Sequence, residues 1–201
     1  MKTLNKDLLL ATKFASKNPS RPTLQTVCIT DNKIVATDSY KLIEITNNSY
    51  ELSELPDHAT GQIQTLDKPI LINAEEISKR IKFDSKPLLP IMGVQVLCNE
   101  TEKSVQLNTV GLSGMNTVEF QKVNEQYPDY ERIFQSTPPV YQVNVNAEFL
   151  IECLQAFKDK NGEYPNGCTL SFQENTNAPV VITGLTKDNS NKKVLIMPLK
   201  I

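Results

Sequence analysis

At 201 residues the chain is long enough for one large domain or two small ones with a sizeable core. Its 39% hydrophobic and 22% charged residues are ordinary for a globular protein, and no run of about 18 apolar residues is present to span a membrane. A net charge of −2 supplies no global attraction for nucleic acid, so any such contact must come from locally clustered cations.

The chain opens MKTLNKDLLLATKFASK, a lysine and a short apolar run that mimic a secretory leader. Asp7 interrupts the approach to that run, and Lys13 and Lys17 stand where a small-residue cleavage site belongs. The segment reads instead as a helix over Lys6–Ser16 of the mature protein, and the protein as cytoplasmic. Leu8, Ala11 and Ala15 share one side of that helix, and Lys6, Lys13 and Lys17 fall together on the other. A DNA-facing stripe and a solvated helix back both fit these three cations.

Thr23–Ile45, TLQTVCITDNKIVATDSYKLIEI, reads as β-strands around two turns. Val27, Ile29, Ile34 and Val35 bracket the turn-prone pair Asp31-Asn32. A second turn follows at Thr37-Asp38-Ser39, and Leu42, Ile43 and Ile45 resume the strand. Tyr40 and Lys41, an aromatic and a cation just past a turn, fit both the solvated tip of an ordinary hairpin and a surface for contact. The polar stretch Asn47–Thr65 is a loop, and its His58, the single histidine, is a solvated side chain.

The same order of elements then recurs twice. Lys68–Ile72 is expected as a strand and Asn73 as the cap of a helix over Ala74–Phe83. Ala74, Ile77 and Ile81 form its core side, and its outer side mixes Lys79 and Lys82 with Glu75 and Glu76. Strands are expected near Gly93–Cys98, Ser104–Asn108 and Asn116–Val123. After a stiff connector, Gln135–Pro139, come a strand at Val140–Val145, a helix over Ala147–Phe157 capped by Asn146, and strands at Cys168–Gln173, Pro179–Leu185 and Lys193–Ile201. Leu150, Leu154 and Phe157 are expected to be buried. Glu148, Glu152 and Asp159 form an outer face that repels phosphate. Three repeats of strand, helix and three strands predict an α+β fold, divided at the Gln135–Pro139 connector into parts over 1–135 and 139–201.

Cys28, Cys98, Cys153 and Cys168 are too widely spaced for a zinc or redox motif and are expected as buried, reduced thiols. No metal-ligand cluster, activated nucleophile or glycine-rich phosphate loop is present, so neither catalytic residues nor a cofactor are expected. Asp38 and Asp129 are the only carboxylates that suggest a pair, and both sit in turns where Asp is ordinarily structural.

Three segments carry a family resemblance. VATDSYKL (Val35–Leu42) resembles the ATDGHRL-type turn of bacterial sliding clamps, the β subunit of DNA polymerase III. YPDYERIF (Tyr127–Phe134) resembles the FPDY segment that closes the middle clamp domain, and VLIMPLKI (Val194–Ile201) the VVMPMRL-type terminus. The resemblance implies a DNA-clamp-like fold with one complete clamp domain, the counterpart of the middle one, and the second half of the last. It also implies a groove for short peptides of DNA polymerase and other replication or repair proteins. Leu24, Thr37, Ser39, Tyr40, Lys41 and Leu42 would line it from the hairpin. Pro128, Arg132 and Ile133 would do so from the YPDY segment, and Leu195, Met197, Pro198, Leu199 and Lys200 from the tail. Lys41, Arg132 and Lys200 would form its cationic rim. Ser39 stands where the family has glycine, Tyr40 where it has histidine, and Lys41 where it has arginine, which costs the planar guanidinium fork. Double-stranded DNA would be met through Lys6, Lys13, Lys17, Lys79 and Lys82. The unpaired third unit leaves a flank for homo-oligomerisation, and a clamp-derived scaffold that encircles no DNA is the alternative.

Overall fold

The computed structural model describes residues 7–30, 32–46, 68–82, 95–111, 114–134, 140–158, 166–175, 177–185 and 192–199. They belong to two compact units, Met1–Asp129 and Tyr130–Ile201.

The first unit begins with α1 (Asp7–Thr12), shorter than the helix expected over Lys6–Ser16. Its end tightens. The amides of Lys13 and Phe14 donate three residues back to Leu10 and Ala11, and the Thr12 hydroxyl returns to the Leu9 carbonyl at 2.8 Å. Leu8, Ala11 and Ala15 are buried as expected. A 3-10 turn over Pro22–Gln25 then leads into β1 (Thr26–Ile29), β2 (Lys33–Thr37) and β3 (Leu42–Thr46), so Leu24 precedes the first strand.

β4 (Ile70–Asn73) returns antiparallel beside β1, giving the sheet order β3-β2-β1-β4. The register sets Ile29 opposite both Ile34 and Ile70, Val27 opposite Ile72, and Ala36 opposite Ile43. Every one of these lies in or against a single apolar cluster, because alternate residues of a strand share a face. A slip of one residue would turn Lys33 and Glu44 into that cluster.

α2 (Ala74–Arg80) starts where Asn73 Oδ1 accepts from the amides of Glu75 and Glu76, at 2.9 and 3.2 Å. Ala74, Ile77 and Ile81 are buried, but the regular helix stops at Arg80 because Ile81 is already extended. β5 (Gln95–Glu100), β6 (Ser104–Gly111) and β7 (Gly114–Gln121) form a second antiparallel sheet. Its Val105, Leu107 and Phe120 enter the same cluster as α1 and α2. The Arg80 guanidinium lies 4.8 Å from the centre of the Phe120 ring. Beyond β7 the Val123 amide donates to Leu71 at 3.0 Å, tying the returning chain to β4.

The second unit holds α3 (Glu131–Phe134), a segment 140–146 without regular secondary structure, α4 (Ala147–Gln155), β8 (Cys168–Ser171), β9 (Val180–Gly184) and β10 (Lys193–Ile196). The strands are ordered β10-β9-β8. Asn146 caps α4 as Asn73 caps α2, its Oδ1 accepting from Glu148 and Phe149. Several expectations fail here. Val140–Val145 forms no strand; among the described residues it makes one backbone bond, Asn144 O accepting from Leu199 at 2.7 Å, and one bond is not a ladder. Of the three α4 residues expected inside, only Phe157 is buried, while Leu150 is half-buried and Leu154 exposed. α4 rests on β10, and among the described residues no second helix lies beside it as α1 lies beside α2. The final strand ends at Ile196 rather than Ile201, since Pro198 has no amide to donate. Cys28 is buried, but Cys153 and Cys168, on α4 and β8, are only half-buried; all three are free thiols.

The linkers Asn47–Thr65, with His58, and Gln135–Pro139 lie outside the described residues, as do Lys6, Asp159, Lys200 and the side chains of Cys98 and Ile133. No described helix is long and apolar enough to cross a membrane.

Candidate functional site

The turn joining β2 to β3 is fixed from inside. Asp38 Oδ1 accepts from the amides of Tyr40 (2.9 Å) and Lys41 (3.0 Å). The buried Thr37 hydroxyl accepts from Ser39 N and donates to Lys41 O. Burial opposes ionisation of Asp38, but the two amides and the Lys41 ammonium outweigh it and hold the carboxyl below the usual range. Asp38 is thus committed to the turn, as expected of it. At Ser39 the backbone takes φ of 83°, the left-handed region that favours glycine, which explains why this position resembles a family glycine.

Tyr40 is carried at the apex and is 96% exposed. Lys41 points back instead. Its Nζ donates to the Lys13 carbonyl at 2.8 Å, approaches Asp38 at 3.8 Å and lies 5.2 Å from the centre of the Phe14 ring. A carbonyl left over at the end of α1 therefore takes the hairpin cation. Arg21 braces the other side, donating to Ser39 Oγ at 2.8 Å while its carbonyl accepts from the Leu24 amide. Leu24 and Leu42 are half-buried; Leu42 sits on the sheet face opposite the core-facing Ile43 and Ile45. Thr23 donates to the Glu125 carboxylate, which ties the approach to the exposed Pro128 to the same 3-10 turn. Arg21 and Phe14 were missed in the sequence, because contacts across 18 and 27 positions leave no periodic signal.

The remaining expected groove residues belong to the second unit. Arg132 is exposed on α3. Along β10, Ile196 turns into the core, so its neighbours Leu195 and Met197 face outward. Pro198 is half-buried, and Leu199 is exposed but held through its amide by Asn144. The structure thus gathers Leu24 and Thr37–Leu42 around one braced hairpin, and Leu195–Leu199 along one tail.

Lys13, Lys17, Lys79 and Lys82 are all exposed. Lys79 is 2.6 Å from Glu75, and the ammonium's hydrogen bond and charge lower the Glu75 pKa. A cavity of about 400 Å³ between the end of α1 and α2 is lined by Thr12, Ser16, Lys17, Asn73, Glu75 and Ser78 among others, and shares no residue with the expected groove. Among the described residues no group of three His, Cys, Asp or Glu could hold a metal ion. Burial pushes the Cys28 thiol up to about 11, far from a reactive thiolate.

No protein-family model and no curated protein matches the sequence. Solved structures do match. The DNA polymerase III beta chain of Streptococcus pneumoniae superposes with a TM-score of 0.63 at 16% identity, over 99% of this chain and 49% of that one. The DNA polymerase sliding clamp of Pseudomonas aeruginosa gives 0.63 at 15% identity, over 98% and 50%. The beta sliding clamp of C. crescentus gives 0.60 at 12% identity, over 98% and 50%. The chain has the sliding-clamp fold, as its three motifs implied, and spans about half the length of the clamp chains it matches. At such identities the likeness is one of fold.

Proposed function

We propose that this chain is a non-enzymatic, clamp-like binding module. It takes short peptides of replication and repair proteins, with the hairpin tip at Tyr40 and the tail from Leu195 to Lys200 supplying the residues that hold them. The observation that carries this reading is Tyr40, a large ring presented almost entirely to solvent on a turn whose conformation is fixed by its own hydrogen bonds. A rigid aromatic loses little entropy on contact, which suits it as an anchor. Leu195, Met197 and Leu199 supply exposed aliphatic surface, and Pro198 restrains the tail that carries them. Lys41 and Arg132 are the cations this reading assigns to a polar rim, the division found in tight peptide grooves.

Fluorescence anisotropy with a labelled peptide bearing aliphatic and aromatic anchors tests it. Saturable binding is expected, weakened roughly 10- to 30-fold by Tyr40→Ala and lost on deleting Met197–Ile201, with circular dichroism unchanged. A peptide that never binds, or binds both variants like the wild type, overturns the groove.

A second reading concerns DNA. The pairing of Lys79 with Glu75 and the exposed Glu148 and Glu152 on α4 favour a scaffold that collects clients without encircling a duplex.

A further inference from the structure

We infer that a second copy of this chain completes the second unit, two such units joining about a twofold axis through α4 and the outer edge of β8. The first unit shows how the join is made. There two units of helix and three strands are fused in one chain. β1 of one pairs antiparallel with β4 of the other, α1 packs on α2, and the core is shared. The second unit repeats one of those halves. Asn146 caps α4 as Asn73 caps α2. Asn144, two residues before its cap, takes the amide of the returning chain as Leu71 does. β8, first strand after the helix, is the counterpart of β1.

What differs is cover. Counted from the capping asparagines, Leu154 matches Ile81, yet Ile81 is 2% exposed and Leu154 36%. Ile151 matches Ser78, which is itself exposed beside the α1–α2 seam, but it puts a large apolar side chain there, 56% exposed. On β1 the core-facing Val27 and Ile29 are fully buried. On β8 Leu170, set opposite the buried Ile182, is 40% exposed, and Phe172, just past the strand's end at Ser171, is 54% exposed. The segment 140–146 stays outside any ladder because nothing stands where β1 stands beside β4, among the described residues.

A second copy fits this flank for three reasons. The missing piece is a unit of the same kind, so a twofold axis supplies two identical joins at once, 140–146 of each copy against β8 of the other. The same axis makes the α4 pair antiparallel, which brings the exposed Glu148 of one copy towards the exposed Lys158 of the other. The four apolar side chains expose about 350 Å² per copy, enough for the core of an interface of roughly 800 Å² a side once the strand edges are added. The interface uses no residue of the proposed peptide groove, so the two ideas fail separately.

Light scattering after size exclusion at high micromolar concentration should give twice the 22.5 kDa of the chain. Ile151→Asp combined with Phe172→Asp should halve that mass. Both positions are more than half exposed, so the variant keeps its fold, checked by circular dichroism. Amide exchange at Thr169–Phe172 and Val143–Val145 should slow with protein concentration in the wild type alone. A wild-type monomer, or a dimer that survives the double substitution, overturns the interface.

Discussion

Ser39 has a side chain where its backbone prefers none. A φ of 83° costs a residue with a Cβ about 1–2 kcal/mol, of which the exposed Arg21 hydrogen bond to its hydroxyl offsets only part. Ser39→Gly should raise stability by about 1 kcal/mol and the melting temperature by a few degrees; a lower melting temperature would show that the Arg21 contact dominates. Asp38 beside it makes the turn pH-sensitive. Its folded pKa lies below the unfolded value of about 3.9, so its contribution is complete above that pH and disappears as pH falls through the folded value. Melting curves of wild type and Asp38→Asn should therefore lie apart near neutrality and draw together in acid. A constant offset down to pH ~2 would remove Asp38's charge from the account. The cap itself was readable, since Asp at such a turn bonds the amides two and three residues on. The brace from Lys41 to Lys13 was not, because it crosses 28 positions.

Helices in this protein are short, and their stability comes from one buried side and a capped start. Ile77 is fully buried among residues of both sheets and α1, whereas Asn73 only satisfies two amides at the start of α2. Guanidinium denaturation should find Ile77→Ala costing about 3 kcal/mol and Asn73→Ala about 1 kcal/mol. Equal losses would mean that the cap, not the core, holds α2. Both features were visible beforehand: the asparagines before Ala74 and Ala147 announce caps, and isoleucines four apart announce a face. Helix ends were less visible, since α1 stops where i→i−3 bonds take over and α2 where Ile81 turns extended. The expected strand at 140–145 is the instructive failure. It precedes a capped helix as β4 does, but a strand needs a neighbour, and among the described residues only β4 has one along its length.

At the scale of the molecule, charge decides whether a clamp-like fold holds DNA. Lys13 and Lys17 are exposed with no carboxylate as close as Glu75 is to Lys79 among the ion pairs described. If duplex is bound, affinity should fall steeply with salt, and Lys13→Glu with Lys17→Glu should abolish it while Lys79→Glu costs less. A filter-binding titration that shows no complex at low salt would leave the scaffold reading alone. The net charge of −2 agrees with weak attraction at most, because phosphate contact depends on local cations rather than on the total.

The sequence alone determined the kind of elements, their threefold order, the caps, the core faces of α1 and α2 and the fold class. All of these rest on periods of two or 3.6 residues and on turn chemistry written over a few positions. Only the tertiary structure decided which of those elements found a neighbour. The same order of elements yields a buried strand and a buried helix face in the first unit and an unpaired segment with an exposed face in the second. Pairing and burial depend on what stands alongside, and a local pattern carries no record of that.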